Sequence, residues 1–147
     1  MDSSLASSLY ETPIEKFITR DVGVVRLNDP VTVAIEKYKS SPYHAVLIED
    51  QSGKLVGLLT DGDLTKLLGA SPESAVEAIA TTGEIVAIKK EANLGQLLTI
   101  MNSEGTSPIA RRLIPVVDDQ HHPIGIVIRE NLRADIAETM LQKATAV

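Results

Sequence analysis

A chain of 147 residues suits one domain, or two small ones sharing a core. Its composition, 44% hydrophobic and 23% charged, is that of a globular protein. A net charge of −6 with only 3% aromatic residues argues against broad nucleic-acid binding, an anionic-membrane surface or a base-stacking platform.

No apolar run approaches the roughly 18 residues that a membrane span needs. Cysteine is absent, which removes disulfide and thiolate chemistry, and Met1-Asp2-Ser3-Ser4-Leu5 lacks the basic start and apolar stretch of a signal peptide. The expected location is therefore cytoplasmic.

Residues 1–12 read as a polar tail or a short helix, with Leu5, Leu9 and Tyr10 loosely on one face. Pro13 to Ile18 reads as a helical first turn. Val24-Val25-Arg26-Leu27 is a short strand closed by Asn28-Asp29-Pro30, and Val31, Ala34, Ile35 and Tyr38 then recur at helical spacing. After Ser40-Ser41-Pro42 come a strand from His44 to Ile48, a turn at Asp50-Gln51-Ser52-Gly53, a strand from Lys54 to Thr60, and a helix from Asp61 to about Leu68.

The order then restarts. Ser74 to Ile79 is expected to be helical and Ile85 to Ile88 a strand; Leu94, Leu97, Leu98 and Met101 repeat the helical face. Leu113 to Val117 and Pro123 to Ile128 form a hairpin around Asp118-Asp119-Gln120, and a helix from about Arg129 carries Leu132, Ile136 and Met140 on one side.

The repeat has definite offsets. Val31 to Leu94 is 63 positions, His44 to Leu113 is 69, and Gly57 to Gly125 and Asp63 to Asn131 are both 68. Six extra residues are thus expected in the second copy around 102–110. Each copy runs strand, helix, strand, tight turn, strand, helix. The helical connection suits a parallel pair of strands, and the tight turn requires an antiparallel one. About 60 residues bury too little core alone. The copies are therefore expected to pack as a pseudo-twofold pair around a shared cleft.

The most informative stretch is Gly57-Leu58-Leu59-Thr60-Asp61-Gly62-Asp63-Leu64. An apolar strand runs directly into helix-start chemistry, where hydroxyl and carboxylate acceptors meet free N–H groups. The same groups serve either as caps or as ligand contacts. His121-His122 beside Asp118-Asp119 reads as an exposed turn and not a metal site. The Asp61–Asp63 pair brings no further ligand cluster, so no metal site is expected. Phosphate-loop and dinucleotide fingerprints are absent, as is any nucleophile set, and no enzyme is expected.

Four stretches carry a family resemblance. Two are Ile18-Thr19-Arg20-Asp21-Val22 and the hairpin from Ile48-Glu49-Asp50 through Gly53-Lys54-Leu55-Val56-Gly57 into Thr60–Leu64. The others are Arg112–Asp118 and Gly125–Leu132. Together, over roughly residues 13–137, these resemble a tandem pair of CBS (cystathionine β-synthase) domains. The implied fold is α/β (α+β): two β-α-β-β-α repeats, at residues 13–70 and 71–138, followed by a helix end at 139–147.

The resemblance implies a regulatory, energy-sensing module that takes an adenosine-containing ligand. AMP, ADP or ATP is expected, with S-adenosylmethionine or a cyclic dinucleotide as alternatives; no cofactor is required, and Mg²⁺ enters only with ATP. The implied partners are a second copy of the chain, paired through the CBS-pair helices, and an unidentified regulated protein. A module that serves only to dimerise, with degenerate nucleotide sites, is the competing reading.

The family's hydroxyl–x–x–Asp signature falls on Thr60 and Asp63, beside Asp61, with Asp63 expected to accept from ribose hydroxyls. Arg20, Asp21, Val22 and Val24 lie where relatives surround the base. Arg111 and Arg112 stand where relatives place phosphate contacts, and His44 holds the matching position in the first copy. Ile128 and Asn131 replace the hydroxyl and the carboxylate in the second copy, so one competent site is expected.

Overall fold

The computed structural model describes residues 4–63, 65–66, 69–78, 81–82 and 85–145. The chain divides into two compact units: Arg20–Ile85 with Val117–Gly125, and Met1–Thr19 with Val86–Val116 and Ile126–Val147.

The first of these units is built on a four-stranded sheet. Strand β1 is Gly23–Arg26, β2 is Ala45–Glu49, β3 is Leu55–Thr60 and β4 is Thr81–Thr82, in the spatial order β1-β2-β3-β4. Helix α2, Val31–Ser40, connects β1 to β2, which run parallel. The tight turn makes β2 and β3 antiparallel, with a register irregularity at Ile48/Glu49. All six residues of β3 except Val56 are buried, as an interior strand covered on both faces requires. Val25, Val31, Ala34, Val46, Ile48, Leu59 and Val76 close into the core. Ile35 departs from the sequence reading of the α2 face: it is 41% exposed. The helix presents only a narrow stripe to the sheet, and Ile35 lies at its margin.

The other unit begins with helix α1, Ser4–Tyr10, which packs on α5 and on α3. Strand β5 is Ile88–Lys89, α3 is Leu94–Asn102, α4 is Pro108–Arg112, β6 is Leu113–Val117, β7 is Pro123–Ile128 and α5 is Arg129–Thr145; Val117 and the first half of β7 are counted with the first unit. The three strands form one sheet in the order β5-β6-β7. Asn93 and Gln96 start α3 with a reciprocal capping box: each side chain accepts from the other's backbone N–H at 2.9 Å. The expected face of Leu132, Ile136 and Met140 on α5 holds only in part: Leu132 and Thr139 are buried, Ile136 is half-buried and Met140 is 39% exposed. Thr139 satisfies its hydroxyl on the Asp135 carbonyl at 2.8 Å, so its burial leaves no unpaired donor.

Three further expectations are corrected. Ser74–Ile79 forms only a 3₁₀ turn at Val76–Ala78, with Ile79 outside the described residues. Its backbone is already committed: Val31 N–H donates to the Ser74 carbonyl (2.7 Å), and Val76 N–H donates to the Asp29 carbonyl (2.9 Å). The strand at 85–88 shrinks to Ile88–Lys89, while Thr81–Thr82 pairs with Gly57 and Leu58. The insertion is five residues. Val31 and Leu94 open α2 and α3, 63 positions apart, whereas Ala45 and Leu113 open β2 and β6, 68 apart.

A reciprocal exchange of leading segments explains why the units do not follow the repeats. Ile14 N–H donates to the Ala92 carbonyl and Leu94 N–H to the Thr12 carbonyl, both at 2.9 Å. Thr19 and Ile126 bond in both directions. The leading segment of the first repeat, residues 12–19, thus completes the second, and residues 74–77 complete the first in the same way.

Candidate functional site

The topology of the four-stranded sheet gathers the candidate residues. Parallel β1 and β2 begin at one end of the sheet, and antiparallel β3 finishes there; the register pairs Gly23 with Val46, Val46 with Leu59, and Ala45 with Thr60. Arg20, Asp21 and Val22 lead into that end of β1, His44 into β2, and Thr60 leads out of β3 into the turn Asp61–Asp63. Val24 lies one row further in, opposite Leu47. Eight of the ten candidates therefore share one sheet end. Arg111 and Arg112 belong to the other compact unit.

At the strand-to-turn junction, Thr60 and Asp63 are both buried, at 3% and 4% exposure. Thr60 N–H donates to Asp63 Oδ2 at 2.9 Å, and Lys66 Nζ lies 3.4 Å from Asp63 Oδ1. A buried carboxylate is costly unless hydrogen-bonded, and here the strand's last N–H and a half-exposed ammonium hold it. The junction opens a 3₁₀ turn at Asp61–Asp63; Thr65 and Lys66 are helical, while Leu64 and Leu68 lie outside the described residues. A side chain built at Gly62 would meet nothing within 4 Å, so the turn has open space beside it.

Asp61 is exposed, and its Oδ1 accepts from the Tyr38 hydroxyl. The Tyr38 ring is 6.1 Å from the His44 ring at 43°. His44 adopts a left-handed φ of 55°, uncommon for a residue with a side chain. Tyr38 is thus a site-lining residue that the sequence reading placed in a core stripe. Its position in the last turn of α2, level with the strand that enters at His44, was the available signal. Among the described residues, no group of three or more acidic or histidine side chains is positioned to hold a metal ion. No helix among them is long and apolar enough to cross a membrane.

In the second repeat the equivalent junction is different in kind. Ile128 is buried at 7% where Thr60 stands, Asn131 replaces Asp63, and Arg129 replaces Asp61. Arg129 Nη2 donates to Asn102 Oδ1 at 2.9 Å, and Nη1 donates to the Arg111 carbonyl at 3.3 Å. Arg111 and Arg112 sit in the last turn of the short helix α4. Ser107 caps that helix by accepting from Ala110 N–H at 3.1 Å, and Pro108 pre-sets its first turn.

Residues 14–70 and 76–138 both match the family model of the CBS domain. The fold is similar to that of the CBS domain pair of protein MJ0100, solved in complex with 5-methylthioadenosine and S-adenosyl-L-methionine. The TM-score there is 0.67 at 22% identity, covering 87% of this chain and 98% of that one. The cytosolic domain of the Mg²⁺ channel MgtE, solved in complex with ATP, has a TM-score of 0.66 at 18% identity, covering 89% of this chain and 51% of that one. In sequence, an L-aspartate semialdehyde sulfurtransferase of Methanosarcina acetivorans is 25% identical over 138 residues, covering 86% of this chain. This chain spans only 25% of that protein's length.

Proposed function

The chain belongs to the CBS domain family, and from that premise we propose that this regulatory pair takes an adenosine-containing nucleotide of the AMP, ADP or ATP class at the Thr60–Asp63 junction. The observation that carries the reading is the buried hydroxyl–x–x–carboxylate pair at the end of an interior strand, present once. A carboxylate only accepts, and a ribose diol offers two donors. Val22 and Val24 provide apolar surface for the base, and Arg20, Asp21 and His44 edge the same sheet end. Two relatives solved with adenosine-containing ligands support the ligand class. S-adenosylmethionine and cyclic dinucleotides are the alternatives to be screened, with Mg²⁺ only alongside ATP.

Signalling requires that the ligand favour one arrangement of the protein over another. The regulated partner is another protein or a second copy of this chain. Thermal denaturation with each nucleotide tests the reading. At about 100 times Kd the ligand should add about 2.7 kcal/mol of stability. A flat response to AMP, ADP, ATP, S-adenosylmethionine and cyclic-di-AMP at millimolar concentration overturns it.

One observation favours association that needs no ligand. Leu5, Tyr10, Met140 and Leu141 are exposed large apolar residues on the two packed helices α1 and α5. Sedimentation that shows a dimer indifferent to nucleotide would establish that second reading in place of the first.

A further inference from the structure

Asp61–Gly62 is the chain's single Asp-Gly step, and Asn-Gly does not occur. A glycine nitrogen is the backbone nitrogen best able to approach a preceding carboxyl, because no Cβ stands beside it and its dihedrals are unrestricted. The structure leaves this step accessible. Both residues are exposed in the 3₁₀ turn Asp61–Asp63, and a Cβ built on Gly62 would meet nothing within 4 Å. The peptide therefore has room to rotate onto the carboxyl.

Other turn aspartates are tied to the main chain. Asp50 Oδ1 accepts from the Ser52 and Lys54 N–H groups, and Asp118 Oδ1 from those of Gln120 and His122. Asp61 Oδ1 accepts from the Tyr38 hydroxyl on α2, a bond the carboxyl gives up when it turns toward the Gly62 nitrogen.

We propose that Asp61 is a site of spontaneous isoaspartate formation, restrained by Tyr38. The Gly62 nitrogen bonds to Asp61 Cγ and releases its proton, and a carboxyl oxygen leaves as water, closing a cyclic succinimide. Water then opens the ring at either carbonyl. Cleavage between the nitrogen and the original main-chain carbonyl leaves the chain running through Cβ and Cγ, with a free α-carboxylate. Mass and oxidation state are unchanged overall. The added backbone methylene falls between Thr60 and Asp63, inside the turn closed by the 2.9 Å bond from Thr60 N–H to Asp63 Oδ2. Conversion therefore breaks the contact that holds the buried carboxylate. Resting on the nucleotide reading above, it also switches that site off, and bound nucleotide should slow it.

Ageing the 147-residue chain at physiological pH and temperature tests the proposal. Trypsin then releases Leu55–Lys66, and electron-transfer fragmentation locates isoaspartate within it. A synthetic Leu55–Lys66 peptide, aged in parallel, sets the timescale. Isoaspartate should accumulate at Asp61 and not at the buried Asp63 of the same peptide. Tyr38→Phe should speed conversion about fivefold, and Gly62→Ala should suppress it. Asn102→Ala, a variant of comparable cost to stability, should leave the rate unaltered. Protein free of isoaspartate at Asp61 after several half-lives of the synthetic peptide overturns the proposal. An equal rate in Tyr38→Phe and the original chain does so too, as does an equal gain in Asn102→Ala. Conversion that AMP, ADP and ATP all fail to slow would sink only the nucleotide site at Thr60–Asp63.

Discussion

The two strand-to-helix junctions, Thr60–Asp63 and Ile128–Asn131, occupy equivalent positions 68 residues apart and have opposite chemistry. In the first, a buried carboxylate accepts from the strand's last N–H, and an aspartate is held by a tyrosine from α2. In the second, an isoleucine fills the hydroxyl position and an arginine is held by an asparagine from α3. The scaffold is conserved between copies while the charge at its mouth is inverted. A backbone solution for one polar junction thus accommodates a side chain of either charge, provided the preceding helix supplies a matching tether.

The largest expected effect breaks this comparison at its acidic end. Asp63→Ala should abolish nucleotide-induced stabilisation and also cost about 1–3 kcal/mol, because it strands the buried Thr60 N–H. Asn131→Ala should leave the nucleotide response intact. Equal loss in both, read by thermal shift, would show that the copies are functionally alike after all.

The hairpin turns sharpen the same contrast. Gly53 and His121 occupy equivalent left-handed positions, at φ 85° and 66°. Gly53→Ala should destabilise by about 1–2 kcal/mol, with His122 Cδ2 only 3.3 Å from the new methyl group. His121→Gly should relieve strain and stabilise by about 0.5 kcal/mol, net of the extra freedom of the unfolded chain. Urea denaturation decides both signs.

The tethers come next: Tyr38→Phe and Asn102→Ala should each cost about 0.5–1 kcal/mol. Only the first should weaken nucleotide binding. Titration of both variants with AMP, ADP and ATP would expose any cross-effect.

The smallest effect concerns acid. Asp50 is held below the usual carboxylate range chiefly by the Ser52 hydroxyl, then by Lys54 N–H; Asp118 is lowered chiefly by His122 N–H. These turns therefore contribute fully above the unfolded value of about 3.9. They lose that contribution as pH falls through the lower folded values. Denaturation midpoints should be flat from pH 7 to about 5 with respect to these groups. They should fall below pH 4, less steeply in Asp50→Asn and Asp118→Asn.

Much of the fold was legible because its signals are local. The apolar runs that became β6 and β7 appear with the bounds their composition suggested, and Val31, Ala34, Leu94, Leu97 and Met101 are buried as their spacing required. The Thr60 and Asp63 pair was visible through its resemblance to a family signature. What stayed hidden depends on partners distant in the chain. Helix α4 is too short to show a period, and Thr81–Thr82 is a strand only because β3 offers it an edge. The pocket beside the second junction is lined by Asn102, Arg111, Arg112, Arg129, Glu130 and Arg133, which no local pattern connects. Arg111 and Arg112 were visible through their family position, and Arg129 as the opposite charge at the position of Asp61.

The exchanged leading segments set where the chain tolerates cutting. Neither unit is a contiguous stretch; the backbone passes between them at 19/20, 85/86, 116/117 and 125/126. Removing residues 1–19 as a dispensable leader would therefore leave the first repeat's sheet intact. The damage would appear in the second repeat, where the Ala92 carbonyl and Ile126 would lose their partners. A break between the repeats should yield two fragments that fold only when mixed, each carrying a piece of the other.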